Sequence, residues 1–230
     1  MADAVNLVYK DIERKKPSSF FLINAYSVSL TEKMVNYRKL LQNNDRNLID
    51  GKSIVILLNR FRKSKVRFSQ IRGVDFTREI LKTFPTQKSI FLLGSSIENL
   101  KRLMEIFKNE YPNLEISGTF SPPYEIEWLS YIDSAIDQIE KARACLVLVS
   151  LGTPKQDFVA REIAARLNIV TVSIGAAFDF ISLNVPECPK WMQSIGLEWF
   201  FRLMMEPRRL WRRYLIESPK IIKLFIVKRI

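Results

Sequence analysis

The chain has 230 residues, 47% of them apolar and 26% charged, which suits one sizeable globular core with an appendage and is short for two full domains. It contains no histidine, which excludes His-based triads, His general bases and the common zinc sites, and leaves acid–base chemistry to carboxylates or, less readily, Lys, Tyr or Cys. The formal net charge of +12 is uneven: Arg202–Arg229 carries nine Lys or Arg against two Glu, so a negatively charged partner is expected mainly near the C-terminus.

In chain order, the opening MADAVNLVYKDIERKK lacks the continuous apolar region of a secretory signal. Short apolar, β-branched runs then alternate with amphipathic stretches of helical length. Strands are predicted at FFLIN (20–24) and NLI (47–49), with helices over 30–42 and 52–60. A helix over 75–84 precedes SIFLLG (89–94), a helix over 97–110 precedes LEISG (114–118), and a helix over 127–142 precedes CLVLVS (145–150). A helix over 155–167, the strand IVTVSIG (169–175) and several helices after 197 complete the pattern. Continuous apolar strands separated by helices predict an α/β fold: a Rossmann-like, mostly parallel sheet flanked by helices. The expected organisation is one α/β domain over 1–196 and a basic, amphipathic helical appendage over 197–230. No repeat, GxGxxG or GxxxxGK[ST] occurs.

Cys145, inside an apolar run, and Cys188 make no disulfide framework, which fits a reducing cytosol. No apolar run has the length of a membrane span, and the terminal IIKLFIV is broken by Lys223, so the expectation is a protein that touches a membrane without crossing it.

In a parallel sheet, ligands bind beyond the carboxyl ends of the strands, so the residues that follow each strand carry the function. These are Asn24, Asp50-Gly51, Gly94-Ser95-Ser96, Gly118-Thr119, Leu151 to Gln156 and Gly175 to Asp179. LGTPKQDF reads as a capping box, with Thr153 as N-cap, Pro154 at the first helical position and Gln156 three residues after the cap. The alternative is that free backbone N–H groups at this helix start, with Lys155 or Gln156, meet a phosphate or a sugar hydroxyl. Asp50 is either a helix cap eased by Gly51 or a base for deprotonating an alcohol. Asp179 is a turn residue or a binder of substrate hydroxyls. Arg72 is a surface charge or, beside Gly73, a ligand contact.

Together these motifs resemble the WecG/TagA/CpsF family of bacterial glycosyltransferases. GTPKQDFVA is similar to the family's G-x-P-x-Q-[DE] segment. SIGAAFDFISLNVPECPKWMQSIGLEWFFRLMMEPRRLWRRY resembles its long C-terminal signature. Asn24, LIDG (48–51), RGVDF (72–76), FLLG (91–94), YPNLEISG (111–118) and SPPY (121–124) fall in the family's order. The match runs from about residue 20 to about residue 215.

The resemblance implies an inverting transferase that moves a sugar from a UDP-sugar donor to a polyprenyl-diphosphate-linked saccharide, in wall teichoic acid, capsule or exopolysaccharide synthesis. Asp50 corresponds to the family's proposed general base. Arg72, Gln156 and Asp179 fall on substrate-pocket positions, and Arg202, Arg209 and Arg212 match appendage arginines that complete the active site. Asn24, Gly51, Gly152, Pro154 and Lys155 lie within the matching motifs and fill out the expected substrate-binding set. Leu22, Leu183 and Glu187 stand where the family has Thr, Gly and Arg, which leaves the donor open between N-acetylmannosamine and another hexose.

No two aspartates form D-x-D, so no metal or other cofactor is expected, and arginines take a metal's place at the leaving UDP. The expected location is the bacterial cytoplasm, on the inner face of the membrane. At the C-terminus, Pro207 and Pro219 each start a helix beside Glu206 and Ser218 as caps. Arginines up to about Arg213 serve the site or are simply solvated, and Lys220–Ile230 lies on anionic lipid. A homo-oligomer in solution is left open. The alternatives are a nucleic-acid-binding module, against which the tail's many apolar residues argue, and a catalytically silent subunit of another glycosyltransferase; no nucleic-acid partner is expected.

Overall fold

The computed structural model describes residues 1–44, 46–61, 67–123 and 127–223. Six strands form one parallel sheet: β1 (Ser18–Ile23), β2 (Asn47–Ile49), β3 (Ser89–Gly94), β4 (Glu115–Phe120), β5 (Leu146–Ser150) and β6 (Val170–Ser173), in the order β2-β1-β6-β5-β3-β4. All six predicted strands are therefore present, in the predicted fold class. The chain packs as two compact units, Met1–Leu22 with Gly73–Asn184, and Ile23–Arg72 with Val185–Ile230. The predicted appendage belongs to the second of these.

The first unit holds most of the sheet. β1, β3 and β6 are buried along their whole length and β5 along nearly all of it, while β4 is half-exposed, as expected of an edge strand. Helices α1 (Ala2–Glu13), α5 (Gly73–Thr83), α6 (Ile97–Glu110), α7 (Ile132–Ala142), α8 (Lys155–Leu167) and α9 (Ala177–Ile181) cover it. α8 packs on β5 and β6, and α7 on β4. Helix α1 has no counterpart among the predicted elements. Its buried Ala4, Val5, Val8 and Ile12 recur at helical spacing and fasten it to α5 and β6. Gly118 allows β4 its close approach: a Cβ there would stand 2.6 Å from the ring of the buried Phe91.

The second unit contains α2 (Ala25–Leu30), α3 (Val35–Gln42), α4 (Lys52–Phe61), α10 (Lys190–Ser194), α11 (Glu198–Met205), α12 (Pro207–Trp211) and a π-helical turn over Arg212–Glu217. The single helix predicted over 30–42 is two. Asn24 caps α2 and starts it early. Thr31 then ends it, donating through Oγ1 to the Val28 carbonyl (2.7 Å) while its own carbonyl accepts from Arg38 Nε (2.8 Å).

Pro207 opens α12 as predicted, but Glu206 makes no side-chain cap, because its carboxylate is engaged by two arginines. The π turn packs against α2 and is anchored by Glu217, which accepts from Lys33 (2.7 Å) and Lys220 (2.9 Å). Ser218 ends this turn, and residues 220–223 are helical. The remainder of the predicted helix Lys220–Ile230, and Tyr124 of SPPY, lie outside the described residues.

Candidate functional site

In the second unit, Asn24, Asp50 and Gly51 come together. The Asn24 Oδ1 accepts from the amides of Tyr26 (3.1 Å) and Ser27 (3.2 Å), and Ser27 Oγ accepts from the Asn24 amide in return. This is a capping box, and it fixes the first turn of α2 beside the loop that carries Asp50. A Cβ on Gly51 would lie 3.5 Å from Asn24 Cα, so this loop rests directly on the cap. The Asp50 amide donates to the Ile23 carbonyl (2.9 Å), and the Asp50 carbonyl accepts from Gln70 Nε2. Gln70 was not among the predicted residues. It ties the catalytic candidate to the segment that ends in Arg72, and the Ile71 amide continues the tie by donating to the Ile49 carbonyl (2.7 Å).

Arg72 is neither a solvated charge nor alone. Its Nε and Nη2 grip Glu198 at 3.2 and 2.9 Å, and Nη2 also reaches Glu187 at 3.4 Å. The Arg72 side chain is 13% exposed. Two carboxylates around one guanidinium give this corner a net negative character. Cys188, beside them, has its thiol pushed up by burial first and by Glu198 second, with Arg72 opposing. It is a buried thiol with no tendency to ionise.

The appendage arginines divide by exposure. The side chain of Arg202 is 13% exposed and pairs with Glu206 (3.3 Å); that of Arg209 is 53% exposed and shares the same carboxylate (2.6 Å). Arg212 is exposed and lies 5.2 Å from the Trp211 ring. Arg213, which the sequence covers only as the end of a run of arginines that serve the site or are solvated, turns inward, with its guanidinium 4.8 Å from the Tyr26 ring and 5.6 Å from the Tyr214 ring. Nothing in the spacing of PRRLWRRY distinguishes it from its neighbours.

In the first unit, the ends of β3, β5 and β6 are stitched together. The Ser95 amide donates to the Ser150 carbonyl (3.2 Å), and Ser150 Oγ donates to the Gly175 carbonyl (2.7 Å). A Cβ on Gly94 would overlap that Ser150 carbonyl, and the φ of +105° also requires glycine. Asp179 stands on α9, above β6. Its Oδ1 accepts from Asn99 Nδ2 (3.2 Å), which also donates to Ser95 Oγ (2.7 Å). The Asn99 Oδ1 accepts from Asn184 (2.7 Å), whose own oxygen accepts from Arg102 (3.3 Å). Asn99 is the hub of this relay and is 2% exposed. A lone Asn in the first turn of a helix gave no sign of the role in the sequence.

The predicted capping box at LGTPKQDF is absent. Pro154 occupies the N-cap of α8, follows a cis Thr153–Pro154 peptide and makes no side-chain cap. A proline N-cap has no N–H to offer, so the reciprocal bond of a capping box is chemically impossible. Gly152 instead accepts from the Gln156 amide (2.9 Å) and takes φ +77° with open space where a Cβ would stand. Gln156 is 1% exposed, and its Oε1 meets no donor among the described residues. Lys155 projects its Nζ to 5.2 Å from the Tyr131 ring, and burial pushes the Tyr131 phenol up to about 12. That phenol keeps its proton at neutral pH and is no general base.

The family model described as the glycosyl transferase WecG/TagA/CpsF family matches residues 1–230. The chain belongs to this family. It is 31% identical to an N-acetylglucosaminyldiphosphoundecaprenol N-acetyl-beta-D-mannosaminyltransferase of Bacillus subtilis over 187 residues, covering 80% of this chain and 70% of the relative. It is 29% identical to a protein of the same name from Bacillus spizizenii over 206 residues, covering 88% and 77%.

Membership makes the chain a glycosyltransferase. Among the described residues of this WecG/TagA/CpsF protein, no helix is long and apolar enough to cross a membrane. Its second unit exposes large apolar side chains on α10, α11 and the π turn, among them Trp191, Ile195, Phe200, Met204 and Leu215. Basic Lys190 of α10, Arg208 and Arg209 of α12, and Arg212 of the π turn are also exposed.

Proposed function

We propose that this glycosyltransferase moves N-acetylmannosamine, or another hexose, from a UDP-sugar to a polyprenyl-diphosphate-linked saccharide, inverting the anomeric centre, in the synthesis of a bacterial surface polysaccharide. The observation that carries this reading is the full-length family match together with relatives named for mannosaminyl transfer to a lipid-linked acceptor.

In this reading Asp50 is the general base. It accepts the proton of the acceptor hydroxyl as that oxygen bonds to the anomeric carbon, while the bond to UDP breaks and its electron pair leaves with the diphosphate. The chain has no histidine to compete for the task. Arg202, Arg209 and Arg212 stabilise the departing diphosphate, a role suited to a fixed charge with forked donors. Arg72, Asn24 and Gly51 of the second unit, and Gly152, Pro154, Lys155, Gln156 and Asp179 of the first, are assigned to substrate binding. Burial of Gln156 with an oxygen that lacks a donor supports its assignment, since such a group costs stability unless a ligand satisfies it. With arginines at the leaving group, turnover proceeds in EDTA; a strict requirement for Mg²⁺ or Mn²⁺ would sink that part. The exposed apolar and basic side chains of the second unit support docking on the anionic inner face of the membrane.

The decisive experiment is a panel of UDP-sugars with a short prenyl-diphosphate-saccharide acceptor, read by mass spectrometry. One sugar is transferred by the wild type, and Asp50→Asn lowers kcat by about 10²- to 10⁴-fold. An unchanged product yield with Asp50→Asn removes Asp50 from the role of base. Salt-dependent nucleic-acid binding without any sugar transfer would overturn the reading as a whole.

A further inference from the structure

Two inward-facing arginines of the second unit are hydrogen-bonded to carboxylates: Arg72 to Glu198 and Glu187, and Arg202 to Glu206. Arg213 has no such bond, and its Nε is closed off from solvent without a partner. What holds it is aromatic: its guanidinium carbon stands 4.8 Å from the centre of the Tyr26 ring and 5.6 Å from that of Tyr214. Burial pushes its pKa down, Arg202 acts in the same direction, and Tyr214, Tyr26 and Asp50 oppose. A guanidinium still stays charged at any physiological pH.

The fold thus holds a half-buried permanent cation near a second one, with aromatic faces where a carboxylate would ordinarily stand. Holding a charge partly out of water without a hydrogen-bonded counter-ion is costly, and the arrangement suits a site that takes an anion. Two features locate that anion. Tyr26 lies in the first turn of α2, whose cap, Asn24, carries the Asp50–Gly51 loop, so Arg213 is held in the neighbourhood of the proposed base. In addition, Arg209 is exposed, whereas Arg213, at the start of the π turn that packs on α2, faces inward.

We propose that Arg213 is a substrate-binding residue of this transferase, offering its terminal nitrogens to a diphosphate oxygen while Tyr26 and Tyr214 hold its plane. This rests on the transferase reading above and adds to it a residue outside the set that the family resemblance supplies. Two substrates bring a diphosphate: the nucleotide of the donor and the prenyl diphosphate of the acceptor. The ligand is defined by that shared group.

The test measures binding of UDP and, separately, of farnesyl diphosphate to the full chain by calorimetry, in the wild type, Arg213→Met and Arg213→Lys. Thermal melts of all three check that the variants fold. We expect Arg213→Met to weaken one of the two ligands by about 10- to 100-fold, the scale of a charge-assisted hydrogen-bond pair, with Arg213→Lys recovering part of the loss. Loss for UDP alone assigns the donor diphosphate, and loss for farnesyl diphosphate alone assigns the acceptor. If Arg213→Met fails to fold, Arg213→Lys decides by itself: a loss of about 3-fold or more supports the assignment, and wild-type affinity for both ligands overturns it. Folded Arg213→Met with both affinities unchanged likewise overturns the role of Arg213 and leaves the transferase reading standing. A wild type that binds neither diphosphate overturns both.

Discussion

Replacing Glu198 with Gln keeps the volume of the side chain and removes its charge. Glu198 lies in the first turn of α11 and meets Arg72 through both oxygens, with the shortest contact at 2.9 Å. The pair is neither exposed nor sealed, with side chains 13% and 28% exposed, so its worth falls between the surface value of about 0.2–1 kcal/mol and the 3–5 kcal/mol of breaking a buried pair. Gln retains one acceptor for Arg72, which recovers part of the loss, while removing a negative charge from the start of α11 adds about 0.3–1 kcal/mol.

A net cost of about 1.5 kcal/mol follows, or about 3–6 °C in Tm for a chain of this length. Glu187 makes one contact at 3.4 Å, so Glu187→Gln should cost no more than about 0.5 kcal/mol, or about 1–2 °C. Differential scanning calorimetry at low salt measures both. Arg72→Met with Glu198→Gln should cost less than the two single changes added together, because both remove the same interaction. Glu198→Gln melting with the wild type, or Glu187→Gln melting below Glu198→Gln, would refute the assignment of Glu198 as the principal partner of Arg72.

Gln156→Leu should raise Tm by about 1–2 °C, since it removes a buried oxygen that has no donor, and should reduce sugar transfer at least about 10-fold; melts and the mass-spectrometric assay check the two halves. Asn99→Ala should cost about 1–3 kcal/mol in urea unfolding, since it strips partners from Asp179, Ser95 and Asn184 at once. Gly94→Ala combines a φ of +105° with overlap of the Ser150 carbonyl, so loss of soluble folded protein, or more than about 3 kcal/mol of destabilisation, is expected on expression and melting.

The pH prediction concerns Tyr131. Its folded value of about 12 lies above the ordinary phenol value of about 10, so the folded state favours the protonated form. The corresponding stability is present in full below about pH 10 and is lost as the pH rises from about 10 to about 12. Urea midpoints should fall across that window in the wild type and less steeply in Tyr131→Phe.

The layered architecture was legible in the sequence because a sheet covered on both faces writes each of its central strands as a continuous apolar run. Phe20, Phe21, Ile90 to Leu93 and Leu146 to Val149 are all buried, and their order with the helices fixes the class of fold. The start of α12 at Pro207 was legible for a local reason as well, since proline is preorganised for a first helical turn. Asp50-Gly51 and Gly152 to Gln156 follow β2 and β5, at the carboxyl ends of strands where the sequence pattern put them.

Local chemistry failed where a distant partner decided the outcome. Thr153 has the composition of a cap, yet α8 begins with Pro154 at its cap, and Gln156 was committed to burial instead. Glu198 and Glu187 lie 126 and 115 residues from Arg72, beyond the reach of any spacing rule. Asn99 acquires its role only where α6 meets Asp179.

The arginines of PRRLWRRY show the division most plainly. The sequence determined that this helix would be basic and would begin at Pro207. Which guanidinium would face inward and which would stay exposed depended on Tyr26 of α2, because the direction of a side chain is set by the helix phase and the surface it meets. Composition carries neither.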